Sequence, residues 1–294
     1  MDQLEQFKDL LSEPKQRIKL HDFVADITKK LLPAVALDKL PVHVPIDDAS
    51  FIARLETYEE LVQPTLPLQM LLGRWALPDH AEIAALPFRR LAGAITTTGG
   101  NTYLIEARWY PLFLMLYAVS IGAISGGNYE ILRAIFHAPT PNFDGRKGRD
   151  ILLIAVFQAM GEIHDGFKLF PGLNRKHTPR SEHICTILEP YVDNTLYLGT
   201  DYEDIFDRVE IVMAIEHMHI QHPGPVGKEE SPWGPVGRFG WKTSSRNPLG
   251  RLIGEASAFG KSWEPARAGF FGGCTTRFVE LAEGLSRKLN QVCW

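Results

Sequence analysis

The chain has 294 residues, of which 45% are hydrophobic and 22% are charged. This balance supports a substantial core and excludes a disordered chain. The net charge of −4 at pH 7 excludes a protein whose whole surface binds polyanions. The three cysteines, Cys185, Cys274 and Cys293, include no C-x-x-C pair, and the N-terminus has no signal-peptide pattern. Both features predict a cytoplasmic protein.

The first hundred residues carry helix signals. Apolar residues recur every three or four positions over 20–31, and a proline then ends the run. Asp47 or Asp48 is expected to cap a second helix that reaches Val62, and 83–95 is a third candidate. After a loop, the segment TYLIEARW (102–109) is predicted to form a short strand.

The centre of the chain is strongly apolar. The 21 residues between Arg108 and Glu130 carry no formal charge: WYPLFLMLYAVSIGAISGGNY. A stretch of that length could cross a bilayer, which is the alternative interpretation. Its most apolar part is only Leu112 to Ile124, and a second apolar segment (151–160) suits a partner helix. We therefore predict a core helix without membrane contact, and a helical hairpin over 111–137.

The predicted fold is mainly α, a multi-helix globular bundle with an irregular, Gly/Pro-rich, basic C-terminal segment. Residues 1–222 are expected to form the helical body, and 223–294 an irregular basic loop plus C-terminal helices packed on the same body. The charge balance changes near this boundary. Residues 1–223 hold 21 Lys and Arg against 29 Asp and Glu, whereas residues 224–294 hold 10 against 6.

Two groups of residues could carry chemistry. Glu162, His164 and Asp165 lie together in GEIHDGF, where a carboxylate beside an imidazole could transfer protons. The alternative, which we favour, is that they cap and solvate a helix end.

The second group is EHMHIQH (216–222). On a helix, His217 and His219 lie about 200° apart and cannot face one metal ion, although His219 and His222 could. The favoured alternative is a helix C-terminus with histidines near its dipole. No glycine-rich phosphate-binding motif occurs in the sequence, so no cofactor is predicted.

Cations alternate with aromatic residues in GPVGRFGWKTSSR (234–246). Such a segment can anchor a protein partner or stack on nucleic acid. The alternative, which we favour for the two aromatic residues, is that they are buried and tie the loop to the body, since exposed Phe and Trp together promote aggregation. The predicted partner-binding residues are Arg238, Phe239, Trp241, Lys242 and Arg246.

Four stretches occur in a recognisable order: RWYPLFLMLYAVSIGAISGGNYEILRAIF (108–136), LFPGLNRKHTPRSEHICTILEP (169–190), YEDIFDRVEIVMAI (202–215) and PVGRFGWK (235–242). Together they resemble a C-terminal helical region of large bacterial proteins that carry sirtuin-like or Schlafen-like AlbA-type domains. The chain begins about where that region begins, so we expect a separately encoded partner, a shortened form or a divergent relative. The resemblance implies a regulatory or assembly module, associated with defence against phage, and supplies no catalytic residues.

We therefore expect a non-enzymatic regulatory or scaffolding module that binds a protein partner, such as an effector subunit, or another copy of itself. The first alternative is a hydrolase or nuclease that uses the histidine and acidic residues. The second is a nucleic-acid binder that uses the basic C-terminal segment, which the overall negative charge disfavours.

Overall fold

The computed structural model describes residues 3–95, 99–141, 150–225, 232–244, 246–292 and 294. In these residues the fold is mainly α, as predicted, and no β-strand is present beyond one isolated bridge between Pro139 and Ile151. The α-helices are α1 (Gln3–Ser12), α2 (Arg17–Leu31), α3 (Asp48–Val62), α4 (Leu66–Trp75), α5 (Ala81–Ala94), α6 (Thr102–Ala107), α7 (Tyr110–Ser125), α8 (Tyr129–Phe136), α9 (Leu152–Glu162), α10 (Pro179–Thr195), α11 (Tyr202–Gln221), α12 (Pro248–Phe259), α13 (Glu264–Arg267) and α14 (Thr275–Leu289).

Helix α7 is the central element of the core, as the uncharged stretch predicts. Every residue from Tyr110 to Ile124 is buried. Helices α3, α4, α8, α9 and α11 pack around it. The run Thr102–Ser125 is long and apolar enough to cross a membrane, but its apolar window is wholly enclosed by other described residues. Such burial on all sides is typical of the core helix of a water-soluble protein.

The closest helix pair, α4 and α7, packs through glycine. A Cβ atom at Gly73 would lie 2.1 Å from the carbonyl oxygen of Val119, and one at Gly122 would lie 2.0 Å from that of Met70. Both distances are far below van der Waals contact, so the two backbones approach only because these positions carry no side chain. This contact places α4 directly against the C-terminal half of the core helix.

The strand predicted over 102–109 is wrong. The side chain of Asn101 accepts hydrogen bonds from the backbone N–H groups of Tyr103 and Leu104 and so caps the short helix α6. With its first N–H groups satisfied, the segment coils immediately ahead of α7. The predicted hairpin over 111–137 is present as α7 and α8, which pack together.

The C-terminal helices lie against α11. Helices α12 and α14 pack on each other, and both contact α11. Between α11 and α12, residues 232–240 have no regular structure, and a short 3₁₀ turn spans Trp241–Ser244. Cys185 and Cys274 are free thiols, and Cys293 lies outside the described residues. The irregular segment is therefore held against α11, and its contacts decide what surface it can offer.

Candidate ligand-binding cleft

The basic-aromatic loop folds inward against α11. Lys242 and Asp207 are almost fully buried, and the Lys242 ammonium lies 2.7 Å from a carboxylate oxygen of Asp207. Arg238, also buried, pairs with Glu203 at 3.0 Å and contacts the thiol of Cys185. The ionic groups of this loop are therefore already paired with groups of the same chain.

These contacts correct the predicted contact surface. Phe239 is fully buried, and the Trp241 indole N–H donates to Glu182 at 3.0 Å, as the alternative interpretation expects of the aromatic residues. Arg238, Phe239 and Lys242 cannot form an exposed patch in this fold, because each is buried. Of the five residues, Arg246 is exposed, and it pairs with Glu203 at 2.6 Å.

A cleft of about 760 Å³ is bordered by the start of the same loop. Its walls come from the end of α9, the first turn of α10, the C-terminal half of α11 and residues 233–236. Aromatic and imidazole rings contribute much of this lining. They are Phe157, His164, His177, His217, Trp233 and Trp294.

Arg180 is the buried cation of the cleft. It follows the Thr178-Pro179 start of α10, and its guanidinium lies over the rings of Phe113 and Phe157. Nη1 donates one hydrogen bond, of 2.7 Å, to the carbonyl oxygen of Met160. Among the described residues no carboxylate lies within 4.0 Å of Arg180. Glu210 acts on this guanidinium electrostatically but does not pair with it. A buried guanidinium without a paired anion is costly, so this residue creates a site for one.

The start of α10 reinforces that preference. The first turn of a helix carries backbone N–H groups without intrahelical partners and a partial positive charge. Thr178 and Arg180 both line the cleft, so this turn adjoins it. An anion bound here would interact with the guanidinium and the helix dipole together.

A small inner cavity of about 10 Å³ adjoins the cleft and shares Arg180 with it. Glu210 lies at this inner end and is 2% exposed. Its Oε1 accepts hydrogen bonds from the Ser181 hydroxyl at 2.6 Å and the Tyr117 hydroxyl at 3.1 Å. Its Oε2 is buried with no partner, and so is the Thr178 hydroxyl. Burial raises the pKa of the Glu210 carboxyl to about 7.

Burial lowers the pKa of two imidazoles in the cleft, those of His217 and His164. Burial lowers the pKa of His217 to about 4, and the nearby His222 adds to this effect, so His217 is neutral at pH 7. Burial also lowers the pKa of His164. His217 Nδ1 is buried and has no hydrogen-bond partner. The cleft therefore offers neutral ring nitrogens as hydrogen-bonding groups around one fixed cation.

The candidate acid–base residues are only partly brought together. Glu162 and His164 both line the cleft. Asp165 lies elsewhere, in a surface cavity beside Phe51, where it is exposed and pairs with Lys168 at 2.8 Å. The three residues therefore do not form one site, because the chain turns into a 3₁₀ segment between Glu162 and Asp165.

The candidate metal ligands are not joined either. The described residues contain no group of three or more His, Cys, Asp or Glu side chains arranged to hold a metal ion. His219 lies beside Gly272, away from the cleft, and His222 caps the end of α11. Glu216 is fully buried and bonds His137 at 2.7 Å.

Sequence reasoning missed the two charged groups of the inner end, Arg180 and Glu210. Each left a signal. Arg180 is a basic residue in a helix first turn, where the dipole disfavours it. Glu210 interrupts the apolar pattern of VEIVMAI (209–215) on a face that turns toward the core. A charged residue at a position where the helix dipole or the apolar face disfavours charge indicates a role other than local helix stability.

No family model matches the chain, and searches of curated proteins and of solved structures gave no match.

Proposed function

We propose that the protein is a non-enzymatic sensing module that binds, in the cleft, a small ligand carrying an anionic group. One observation carries the proposal: Arg180 is buried at the cleft, makes a single hydrogen bond, and has no carboxylate within 4.0 Å in the described part of the chain. A carboxylate on the ligand would supply the missing partner. The aromatic walls would hold an apolar portion of the same molecule.

The resemblance to the helical region of bacterial defence proteins supports a regulatory role for this binding. We propose that the module acts in the cytoplasm of a bacterium and passes ligand occupancy to a protein partner, such as an effector subunit, or to another copy of itself. Arg238 and Lys242 are paired within the chain, so no observation favours the nucleic-acid alternative.

A hydrolase is the second candidate, because Glu162 and His164 line the cleft beside Glu210. A general acid or base works best with a pKa near the working pH, and the Glu210 carboxyl meets that condition. Incubation with chromogenic esters and phosphodiesters decides between the two candidates. Turnover that is lost in Glu210→Gln would favour the hydrolase, and binding without turnover would favour the sensor.

The test uses 3-phenylpropionate, which joins one carboxylate to an aromatic ring, and isothermal titration calorimetry. The variant is Arg180→Met, which keeps an apolar stem against Phe113 and Phe157. We expect binding to fall about 10- to 100-fold, as loss of a charge-assisted hydrogen bond implies. The matched control is Arg246→Met, which removes an exposed arginine outside the cleft.

Stability gives an independent check on the same variant. A buried guanidinium with one hydrogen bond and no paired anion within 4.0 Å costs the free protein stability, so Arg180→Met should melt at the same temperature as the wild type or higher. An Arg180 that served only the fold would give the opposite result. Lower stability together with unchanged binding of 3-phenylpropionate would refute the proposed function.

A further inference from the structure

The inner end of the cleft has a second feature that the anion site does not use. Glu210 Oε2 and the Thr178 hydroxyl are both buried, and neither has a hydrogen-bond partner. Both residues line the 10 Å³ cavity, and Arg180 lines it as well. A hydrogen-bond donor on the ligand would satisfy both oxygens, which would otherwise carry the cost of unpaired burial.

From this arrangement we infer that the ligand is the zwitterion of an α-amino acid with a bulky apolar or aromatic side chain. Its carboxylate binds Arg180 and the first turn of α10, and its ammonium group binds Glu210 Oε2 and Thr178. The inference rests on the proposed function, since it assigns the rest of the molecule that Arg180 binds.

Charge is the first argument for a zwitterion. Arg180 and Glu210 carry opposite charges at the same inner end, yet they do not form an ion pair within 4.0 Å. A simple carboxylate would pair with Arg180 and leave the buried Glu210 Oε2 without a hydrogen-bond donor. An α-amino acid carries both charges on neighbouring atoms, so one molecule neutralises both groups and limits the cost of burying them.

Size is the second argument. A cavity of about 10 Å³ has room for about one water molecule. A primary ammonium group is a compact donor with three N–H bonds, which matches this space and the two waiting oxygens. A trimethylated ammonium group is larger and has no N–H to donate, so it should be excluded.

The apolar lining of the cleft indicates that the ligand has a bulky apolar or aromatic side chain. Phe157, Trp233, Pro235 and Val236 line the cleft, and Trp233 is half-exposed in the free protein. Burial of an aromatic or large aliphatic side chain against these residues would remove apolar surface from water. A small or charged side chain would leave the same walls uncovered.

Four ligands that share a phenyl group test the inference by calorimetry at about pH 8, where the Glu210 carboxyl is mostly ionised. They are L-phenylalanine, 3-phenylpropionate without the ammonium, phenethylamine without the carboxylate, and N,N,N-trimethylphenylalanine. We expect phenylalanine to bind about 10- to 100-fold more tightly than each of the other three. In Glu210→Gln, which keeps the shape of the side chain, the advantage of phenylalanine over 3-phenylpropionate should fall to near one.

Each outcome has one meaning. Equal binding of phenylalanine and 3-phenylpropionate to the wild type would overturn the zwitterion and leave the proposed function intact. If none of the four ligands binds at about 10 mM, a concentration well above ordinary dissociation constants of small ligands, the zwitterion and the proposed function are both overturned. Should Glu210→Gln fail to fold, the comparison of the four ligands on the wild-type protein decides the matter by itself.

Discussion

The glycine contact between α4 and α7 gives a sharp test of the architecture. In Gly122→Ala the new Cβ would lie 2.0 Å from the carbonyl oxygen of Met70, 2.8 Å from its carbonyl carbon and 3.0 Å from its Cα. All three atoms are backbone, so no side chain can rotate away. The helices must separate by about 1 Å, the gap needed to restore van der Waals contact.

Two effects of opposite sign set the magnitude. Replacing glycine with alanine inside a helix favours folding by about 1 kcal/mol. Overpacking a well-packed core costs about 1–3 kcal/mol. Separating α4 from α7 by about 1 Å also removes a quarter to a half of the dispersion energy between them. Because the contact is between backbone atoms, the cost belongs at the upper end of the overpacking range, and after the alanine gain is subtracted we expect Gly122→Ala to lower the free energy of unfolding by about 2 kcal/mol.

Urea denaturation followed by circular dichroism measures this change. The matched control is Gly254→Ala in α12, where a Cβ has no neighbour within 4 Å and the position is exposed. It should raise the free energy of unfolding by about 0.5–1 kcal/mol. Gly73→Ala should cost less in the Gly122→Ala background than alone, since the helices are then already apart. A Gly122→Ala protein as stable as the control would refute the packing argument.

Two further predictions concern buried charge. Lys242→Met leaves Asp207 buried without its cation, so we expect a loss of about 3–5 kcal/mol in urea denaturation, and Lys242→Met with Asp207→Leu should recover most of it. Burial raises the pKa of Glu210 to about 7, above its value of about 4.3 in an unfolded chain. The folded state therefore binds this proton more tightly, and the wild type should lose stability relative to Glu210→Gln as pH rises from about 5 to 8. A difference in melting temperature that stays constant with pH would contradict the buried position of Glu210.

The core was predictable because its signal is local. An uncharged stretch between Arg108 and Glu130, closed by two glycines, contains enough information to place α7 and to end it. The cap at Asp47 was predictable for the same reason, since its side chain accepts from the N–H of Ser50 within the same turn. The strand prediction for 102–109 was wrong because the apolar residues of so short a segment fit a strand or a helix equally. The cap at Asn101 decides for the helix.

The cleft was not predictable because it depends on contacts between distant parts of the chain. Helical spacing correctly indicated that His217 and His219 face different directions, and only His217 lines the cleft. The spacing of apolar residues along α11 does not show which face of the helix borders a cavity. Arg180 and Glu210 lie 30 positions apart and meet at one inner end only after α10 and α11 have packed.

The change in charge along the chain has an intramolecular cause. Acidic residues in the first half of α11 pair with basic residues in and after the irregular loop: Glu203 with Arg238 and Arg246, Asp204 with Arg251, and Asp207 with Lys242. The excess of each sign therefore fixes the loop to the body. Amino-acid composition alone does not distinguish charges that pair within one chain from charges that pair with a partner protein.

The contacts that hold the loop against α11 also connect it to the inner end of the cleft. The Ser181 hydroxyl donates to Glu210 and accepts from the backbone N–H of Arg238, so one side chain joins the inner end of the cleft to the anchored loop. An ammonium group at Glu210 would hold the carboxyl in its ionised form, and an ionised carboxyl accepts the Ser181 hydrogen bond more strongly than a neutral one. Occupancy would thereby favour the conformation in which Arg238 is docked. Residues 233–236, which precede Arg238 and form a wall of the cleft, would be stabilised with it.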